Sequence, residues 1–144
     1  VAYIKDHRAD ILSPLIVDGK NVVQDSFREL PTPLKILARR LLKKQEVLPP
    51  DREISPDWLA GMFLFMRADT FEQLGGFDER YFLYFEDVDF CVRARLAGFQ
   101  LLLEPALKVQ HDAHRGSRHS LRYLFWHLQS AWRFFTSEVY QQAK

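Results

Sequence analysis

Short apolar runs closed by turn residues predict an alternation of strands and helices along the chain. The run Ile11–Val17 is followed by Asp18-Gly19, which predicts a buried strand ending in a tight turn. Residues 22–24 could form the returning strand of a hairpin. The longer run over 58–67 is almost continuously apolar, as in a strand buried on both faces of an α/β sheet.

The second half of the chain continues this alternation. Its predicted elements are a short helix over 68–74, an aromatic loop over 77–85, a helix over 86–97, strands over 99–103 and 107–110, a polar loop over 111–120 and a final helix over 121–141. Glycines follow the first two helices, at Gly75-Gly76 and Gly98, where helix ends favour them. The predicted fold class is therefore α/β, a mixed sheet with flanking helices and a C-terminal helix.

The segment 31–56 has a different character, because prolines bracket a basic stretch. Within residues 34–44, leucines recur at helical spacing and lysines and arginines occupy the other positions, which predicts an amphipathic helix. Two interpretations stay open for this Pro-bracketed basic insertion. It is a solvated surface helix, or it contacts a membrane surface or a partner.

The final helix, over 121–141, is amphipathic and rich in aromatic residues. One stripe comprises Leu121, Leu124, Phe125, Leu128, Trp132 and Phe135. Packing on the rest of the domain would explain this stripe. The aromatic residues outside it, together with Arg118, Arg122 and Arg133, instead suggest a membrane interface or a subunit contact.

Composition narrows the class of protein. The chain has 144 residues, of which 47% are hydrophobic and 14% aromatic, enough to fill a core. A net charge of +1 argues against nucleic-acid binding, which favours a strong basic excess. The lone cysteine, Cys91, excludes an internal disulfide framework and is consistent with a reducing compartment. Within the sequence, no apolar run approaches the roughly 20 residues of a spanning helix.

The acidic run Glu86-Asp87-Val88-Asp89 is the main candidate for chemistry. Its place at a predicted helix start fits simple capping, since the helix dipole favours negative charge there. The apolar residues 82–85 before it are more typical of a pocket wall, and mutual repulsion among the acids could hold a base poised. We expect Asp89 to pair with Arg93 at i,i+4, which leaves Asp87 free to act as a general base.

An ordered set of motifs surrounds this run from position 58 to position 98. It comprises Trp58-Leu59-Ala60-Gly61, Arg67, Gly75-Gly76-Phe77-Asp78-Glu79, the aromatic loop 81–85, Glu86-Asp87-Val88-Asp89, Arg93 and Gly98. In this order the motifs resemble the family 2 glycosyltransferases of the GT-A (Rossmann-like) fold. The subfamily that the chain is most similar to is that of bacterial rhamnosyltransferases of surface-polysaccharide assembly.

The resemblance implies a reaction and a set of residues. It implies an inverting transfer from a nucleotide-diphosphate sugar donor to a saccharide or lipid-linked acceptor, with Asp87 as catalytic base. Trp58, Gly61 and Glu86 would shape the acceptor pocket. It also implies a cytoplasmic protein, at the inner face of the cell membrane if the acceptor is lipid-linked.

The histidine-rich loop carries further implied roles. Relatives place a histidine at the position of His111 as a ligand to Mg²⁺ or Mn²⁺, a cation that neutralises the leaving diphosphate. Arg115 and Ser117 could hold diphosphate oxygens. The upstream Asp-x-Asp that begins such a metal site is not in this sequence. The resemblance therefore implies that residues 1–144 are the C-terminal, acceptor-side part of an incomplete GT-A domain. We expect this part to be inactive alone and to bind nucleotide sugar weakly or not at all.

Two other functions remain open from the sequence. One is a non-catalytic interaction module on the same scaffold, and the other is a metal-dependent hydrolase using Asp87, Asp89 and His111. Unpaired sheet edges would also make a homo-oligomer plausible.

Overall fold

A computed structural model describes residues 9–41, 49–111 and 120–144. The strands are β1 (Ile11–Val17), β2 (Phe27–Arg28), β3 (Trp58–Leu59), β4 (Phe65–Met66) and β5 (Leu101–Gln110). The helices are α1 (Pro33–Leu41), α2 (Ala68–Gln73), α3 (Glu86–Leu96), α4 (Leu121–Phe135) and α5 (Glu138–Gln142). The predicted α/β class with a mixed sheet is confirmed.

The central sheet has the order β4-β1-β5 and is mixed. Strand β1 pairs parallel with β5 and antiparallel with β4, and all seven of its residues are buried. The predicted strand over these residues is confirmed. Side chains of β1 and β5 form the first core with the inner side of α3, where Phe90 and Cys91 are fully buried.

Strand β5 is one strand where the sequence predicts two. Its register against β1 shifts after the Pro14–Glu104 pair, so that the next pair joins Leu15 to Lys108. Residues 105–107 are thus the extra residues of a bulge. Pro105 has no backbone N–H to donate, and a bulge accommodates such a residue without losing the ladder on either side.

The prediction of one buried strand over 58–67 is wrong. Strand β3 pairs with β2 in a separate two-stranded sheet, whereas β4 joins β1. Between them the chain turns away, because the Ala60 N–H donates to the Ser26 carbonyl at 2.7 Å and the Gly61 N–H donates to Asp87. Phe65 keeps 38% of its surface exposed. The expected returning strand over 22–24 is reduced to a single bridge between Val17 and Val23.

The predicted helix over 121–141 is two helices. Helix α4 stops at Phe135, and the Ser137 side chain caps α5 by accepting a hydrogen bond from the Tyr140 N–H at 3.1 Å. Thr136 lies between the two helices and turns its hydroxyl back to the Trp132 carbonyl at 2.9 Å. A serine cap and a threonine that bonds its own preceding turn are both signals that divide a helix.

The basic helix of the insertion is present as α1, and residues 42–48 lie outside the described part. Its leucines face outward, with Leu34 exposed to 78% and Leu41 to 76%. Its cations instead reach the body of the domain, where Lys35 pairs with Glu29 at 2.7 Å and Arg39 with Asp25 at 2.8 Å. In the described residues, none of the helices has both the length and the apolar character needed to cross a membrane.

Two adjacent glycines after α2 provide a matched test of packing. Both have positive φ, +71° at Gly75 and +70° at Gly76. A Cβ at position 75 would meet open space, whereas one at 76 would lie 3.2 Å from the Phe71 ring. We expect Gly75→Ala to lower the free energy of unfolding by about 1–2 kcal/mol through backbone strain. Gly76→Ala should lose roughly 1 kcal/mol more, through overpacking.

Urea unfolding of both variants beside the parent chain measures this difference. Equal losses would show that the Phe71 ring moves aside without cost.

Candidate functional site

The acidic run begins helix α3 after an unusual turn. Tyr84 and Phe85 both have φ of 68°, in the left-handed region, and Phe85 is the N-cap residue without a side-chain cap. Each non-glycine residue in that region costs roughly 1–2 kcal/mol. The turn therefore depends on tertiary contacts, and it fixes the direction in which Glu86 and Asp87 leave the loop.

Helix α4 supplies those contacts. The Ser130 hydroxyl donates to the Leu83 carbonyl at 2.8 Å, just before the strained pair. The His127 ring lies against both aromatic rings of the turn, 5.2 Å from Tyr84 and 5.5 Å from Phe85. Phe85 also packs on Phe134, which is fully buried in the second core. The aromatic loop is thus clamped on the inner face of α4.

Asp87 is held by two backbone amides. Its Oδ2 accepts from the Gly61 N–H at 2.8 Å, and its Oδ1 accepts from the Val88 N–H at 2.8 Å. Burial raises the pKa of Asp87, and the two amide hydrogen bonds act in the opposite direction. The residue nevertheless keeps part of its surface accessible. A fixed and desolvated carboxylate in a residue that is only partly buried has properties expected of a general base.

Gly61 allows the loop after β3 to approach this carboxylate. A Cβ built on Gly61 would lie 3.4 Å from the Asp87 Cβ and 3.7 Å from its Oδ2. A larger side chain would crowd the side of the carboxylate from which the Gly61 amide binds it. The structure therefore brings Gly61, a predicted acceptor-binding residue, into contact with Asp87, the predicted base.

Glu86 and Trp58 each have a buried polar atom that is unsatisfied within the described part of the chain. Within the described residues, neither the buried Glu86 Oε2 nor the buried Trp58 Nε1 makes a hydrogen bond. Desolvation raises the pKa of Glu86, and the neighbouring Asp87 charge adds to the rise. The Trp58 ring packs on both cores, including the cluster that contains Phe85 and Val88. A buried acceptor and a buried donor that make no hydrogen bond within the described residues suit the hydroxyl groups of a ligand.

Asp89 has a structural role, as predicted. The Asp89 Oδ2 accepts a hydrogen bond from Arg93 Nε at 2.7 Å, and Asp89 is only 2% exposed. The Arg93 guanidinium also donates to the carbonyls of Leu74 and Gly76, the latter at 2.8 Å. Arg93 thus ties α3 to the glycine turn after α2. The expected pairing of Asp89 with Arg93 is confirmed.

The described residues do not form the expected phosphate and metal sites. Arg115 and Ser117 lie outside the described residues. His111 is an exposed residue directly after β5, and its backbone N–H donates to the Val17 carbonyl at 2.8 Å. Across residues 9–41, 49–111 and 120–144, no group of three or more His, Cys, Asp or Glu side chains could hold a metal ion. His111 by itself does not make a metal site, which requires several ligands.

Sequence reasoning missed the contribution of α4 to this site. Ser130 is a polar residue in the middle of an aromatic helix, which was the available signal that this position bonds to another part of the chain. The left-handed turn had no such signal, because neither tyrosine nor phenylalanine favours positive φ.

Three curated proteins that are similar to this chain are all named as sugar transferases. The scan against protein-family models finds no match. The chain is similar to the rhamnosyltransferase WbbL of Escherichia coli, with 34% identity over 122 residues that cover 81% of this chain and 46% of the relative. It is also similar to the N-acetylglucosaminyl-diphospho-decaprenol L-rhamnosyltransferase of Mycobacterium tuberculosis, with 33% identity over 141 residues, 88% of this chain and 45% of the relative.

A third relative is a low-salt glycan biosynthesis hexosyltransferase of Haloferax volcanii, with 30% identity over 86 residues, 59% of this chain and 27% of the relative. The chain spans about half the length of the first two curated relatives, 46% and 45%.

The raised pKa of Glu86 predicts how stability depends on pH. Because burial favours its protonated form, the folded chain binds more protons than the unfolded chain between the ordinary and the raised pKa. The free energy of unfolding therefore falls as pH rises from the ordinary pKa of Glu86 to its raised pKa. Above the raised pKa this decrease is complete. Glu86→Gln removes this ionisation, so we expect the variant to be more stable than the parent at neutral pH and equally stable at low pH.

Urea unfolding between roughly pH 4 and pH 8 tests this expectation. The matched control is Glu79→Gln, on the exposed side of the aromatic loop. A difference between Glu86→Gln and the parent that does not vary with pH would contradict the assignment.

Proposed function

This chain is homologous to a part of the rhamnosyltransferases of glycosyltransferase family 2, and we propose on that premise that it carries the catalytic base and acceptor side of a sugar transferase. The donor is a nucleotide-diphosphate sugar and the acceptor a saccharide or lipid-linked hydroxyl compound. The reaction takes place in the cytoplasm, at the inner face of the membrane for a lipid-linked acceptor. The observation that carries the proposal is the Asp87 carboxylate, which two amides fix and burial desolvates in a residue that is only partly buried overall.

The proposed chemistry is a single displacement. Asp87 accepts the proton of the acceptor hydroxyl as its oxygen forms a bond to the anomeric carbon. The bond from that carbon to the diphosphate oxygen breaks on the opposite face, which inverts the configuration. A raised pKa suits this role, because a base whose pKa lies nearer the working pH accepts a proton more readily.

Trp58 and Glu86 are proposed to position the acceptor. The Trp58 Nε1–H would donate to one acceptor oxygen, and Glu86 Oε2 would accept from another hydroxyl. Both atoms are buried and make no hydrogen bond within the described residues. A ligand that pairs with them removes the cost of leaving them unsatisfied, and that cost is a source of selectivity.

The proposed roles at the donor side rest on the family resemblance alone. Arg115 and Ser117 are proposed to contact the diphosphate. His111 remains a proposed ligand of Mg²⁺ or Mn²⁺. The other ligands of that cation would come from outside the described residues. A cation there would neutralise the leaving diphosphate. No step assigned to Asp87, Glu86 or Trp58 depends on it.

The hydrolase alternative has little support in the described part of the chain. It requires Asp87, Asp89 and His111 to share a metal, but Asp89 is buried against Arg93 and no three-residue metal cluster is present among the described residues. The non-catalytic module differs from the transferase in one respect that can be tested, since it does not need the carboxylate of Asp87.

We expect Asp87→Asn to reduce sugar transfer by roughly 10²- to 10⁴-fold, the usual contribution of a general base. The measurement is release of nucleoside diphosphate and formation of glycosylated acceptor, in a protein that spans the full length of the relatives. Donor affinity, measured by calorimetry, should stay unchanged.

Asp69→Asn is the control, because this exposed acid pairs with Arg67. Near-ultraviolet circular dichroism checks that both variants fold. Transfer by Asp87→Asn within tenfold of the parent would refute the assigned base and leave the interaction module as the better explanation.

Trp58→Phe tests the acceptor pocket separately. This change keeps an aromatic ring but removes a buried donor that has no partner within the described residues. The KM for acceptor should rise about tenfold at most, the value of one neutral hydrogen bond, with kcat little changed. Stability should fall modestly, because phenylalanine fills less of the space that the Trp58 ring occupies against both cores.

Trp132→Phe is the matched control, because Trp132 is 71% exposed on the outer face of α4. With a water-soluble acceptor it should leave both constants unchanged. An unaltered acceptor KM in Trp58→Phe would remove Trp58 from the pocket.

A further inference from the structure

Helix α4 turns an apolar stripe away from the protein. Leu121 is 85% exposed, Phe125 62%, Leu128 58% and Trp132 71%. Their spacing of four, three and four residues places them along one line of the helix. Packing on the domain, one of the two interpretations of this helix, therefore does not account for these four residues, although Phe135 of the predicted stripe does pack on the second core.

The opposite side of α4 is the side that packs. Ser130, Ala131 and Phe134 are buried there, and they join the second core and the aromatic loop. Since the two sides point in different directions, a small rotation of the helix could not bury the stripe without exposing Phe134. The stripe is thus a fixed surface feature, and contiguous exposed apolar surface of this kind marks a binding face.

The aromatic loop exposes a further apolar side chain beside α4. Phe82 is 73% exposed, and its ring lies 4.9 Å from that of Trp126, which lies outside the stripe. The guanidinium of Arg122 lies over the same Trp126 ring, 4.6 Å from its centre. We call the four exposed stripe residues, Leu121, Phe125, Leu128 and Trp132, the aromatic face.

Charge along α4 has a single sign. Its fifteen residues include Arg122 and Arg133 and no aspartate or glutamate. Among the described residues, neither arginine forms a salt bridge, whereas Lys35 and Arg39 of α1 are paired with Glu29 and Asp25. Helix α4 therefore combines an outward apolar stripe with cations that are available to an anionic surface.

We propose that the aromatic face docks on a lipid bilayer that carries anionic headgroups, with α4 lying in the plane of the interface. Leucine, phenylalanine and tryptophan on one side with arginines beside them is the composition of interfacial helices. Fifteen residues at about 1.5 Å each are too short for the roughly 30 Å hydrocarbon core, so the helix lies along the surface.

A second copy of the chain fits the charge less well than a bilayer. A two-fold dimer with antiparallel α4 helices would place Arg122 and Arg133 of both copies along the same edge of the contact, since a two-fold axis across the helices brings like edges together. Anionic headgroups neutralise these charges instead.

Docking would also orient the loop before Glu86 and Asp87, because Ser130 holds the Leu83 carbonyl on the inner side of the same helix. This consequence rests on the proposed function. The docking itself does not, so it is tested without any measurement of transfer.

The test is co-sedimentation of the chain with vesicles of equal parts phosphatidylglycerol and phosphatidylcholine, compared with vesicles of phosphatidylcholine alone. Binding to the anionic vesicles should be roughly tenfold tighter or more and should weaken with added salt. Tryptophan emission should shift to shorter wavelength on binding, and this shift should largely disappear in Trp132→Phe.

The double variant Phe125→Gln/Trp132→Gln should bind anionic vesicles about tenfold more weakly or worse, since it removes two apolar side chains from the face. Leu107→Gln is the matched control, because this leucine of β5 is 44% exposed and outside the face. It should bind like the parent. Both residues changed in the double variant point outward, and circular dichroism confirms folding.

Three results would overturn the proposal. The first is failure of the chain to bind either kind of vesicle. The second is equal weakening by the double variant and by Leu107→Gln. The third is a stable dimer in light scattering that the double variant dissociates and that does not bind vesicles, which would make a second copy the occupant of the face.

Discussion

The hydrogen bond from the Gly61 amide to Asp87 is the constraint on which the arrangement of the site depends. It joins the loop after β3 to the first turn of α3, so that two segments distant in sequence meet at one carboxylate. It also accounts for the path of the chain, since the same loop leaves the small sheet at this point and returns as β4 beside β1. Trp58, three residues before Gly61, is thereby placed against the core beneath the acidic run.

The acidic run divides into groups with different surroundings. Asp89 is compensated by Arg93, whose remaining donors close the turn after α2. Glu86 and Asp87 have no such cation among the described residues, and desolvation raises the pKa of both. Uncompensated acids of this kind oppose folding at neutral pH. Capping alone does not account for this arrangement, since capping requires no burial.

Helix α4 connects two features that look independent in the sequence. Its inner side holds two consecutive left-handed residues, Tyr84 and Phe85, through Ser130 and His127. Its outer side carries the aromatic face. A helix that is fixed on one side by a strained loop cannot rotate freely, and this rigidity keeps the apolar stripe on the surface. Strain at the site and exposure on the opposite side thus have a common origin in the packing of one helix.

The sequence by itself determined the features that depend on local chemistry. These are the strand over Ile11–Val17, the glycine-terminated helices before and after the aromatic loop, the pairing of Asp89 with Arg93, and the motif order that identified the family. Only the tertiary structure decided the rest. An apolar run does not specify which strand it pairs with, so residues 58–67 were divided between two sheets by long-range hydrogen bonds. An amphipathic pattern shows that a helix has two sides but not which side meets the core, because that depends on what the neighbouring elements offer. The elements beside α4 present the Leu83 carbonyl and the Phe85 ring. Ser130 can donate a hydrogen bond to that carbonyl and Phe134 can pack on that ring, so this side of the helix meets the core and the aromatic face does not.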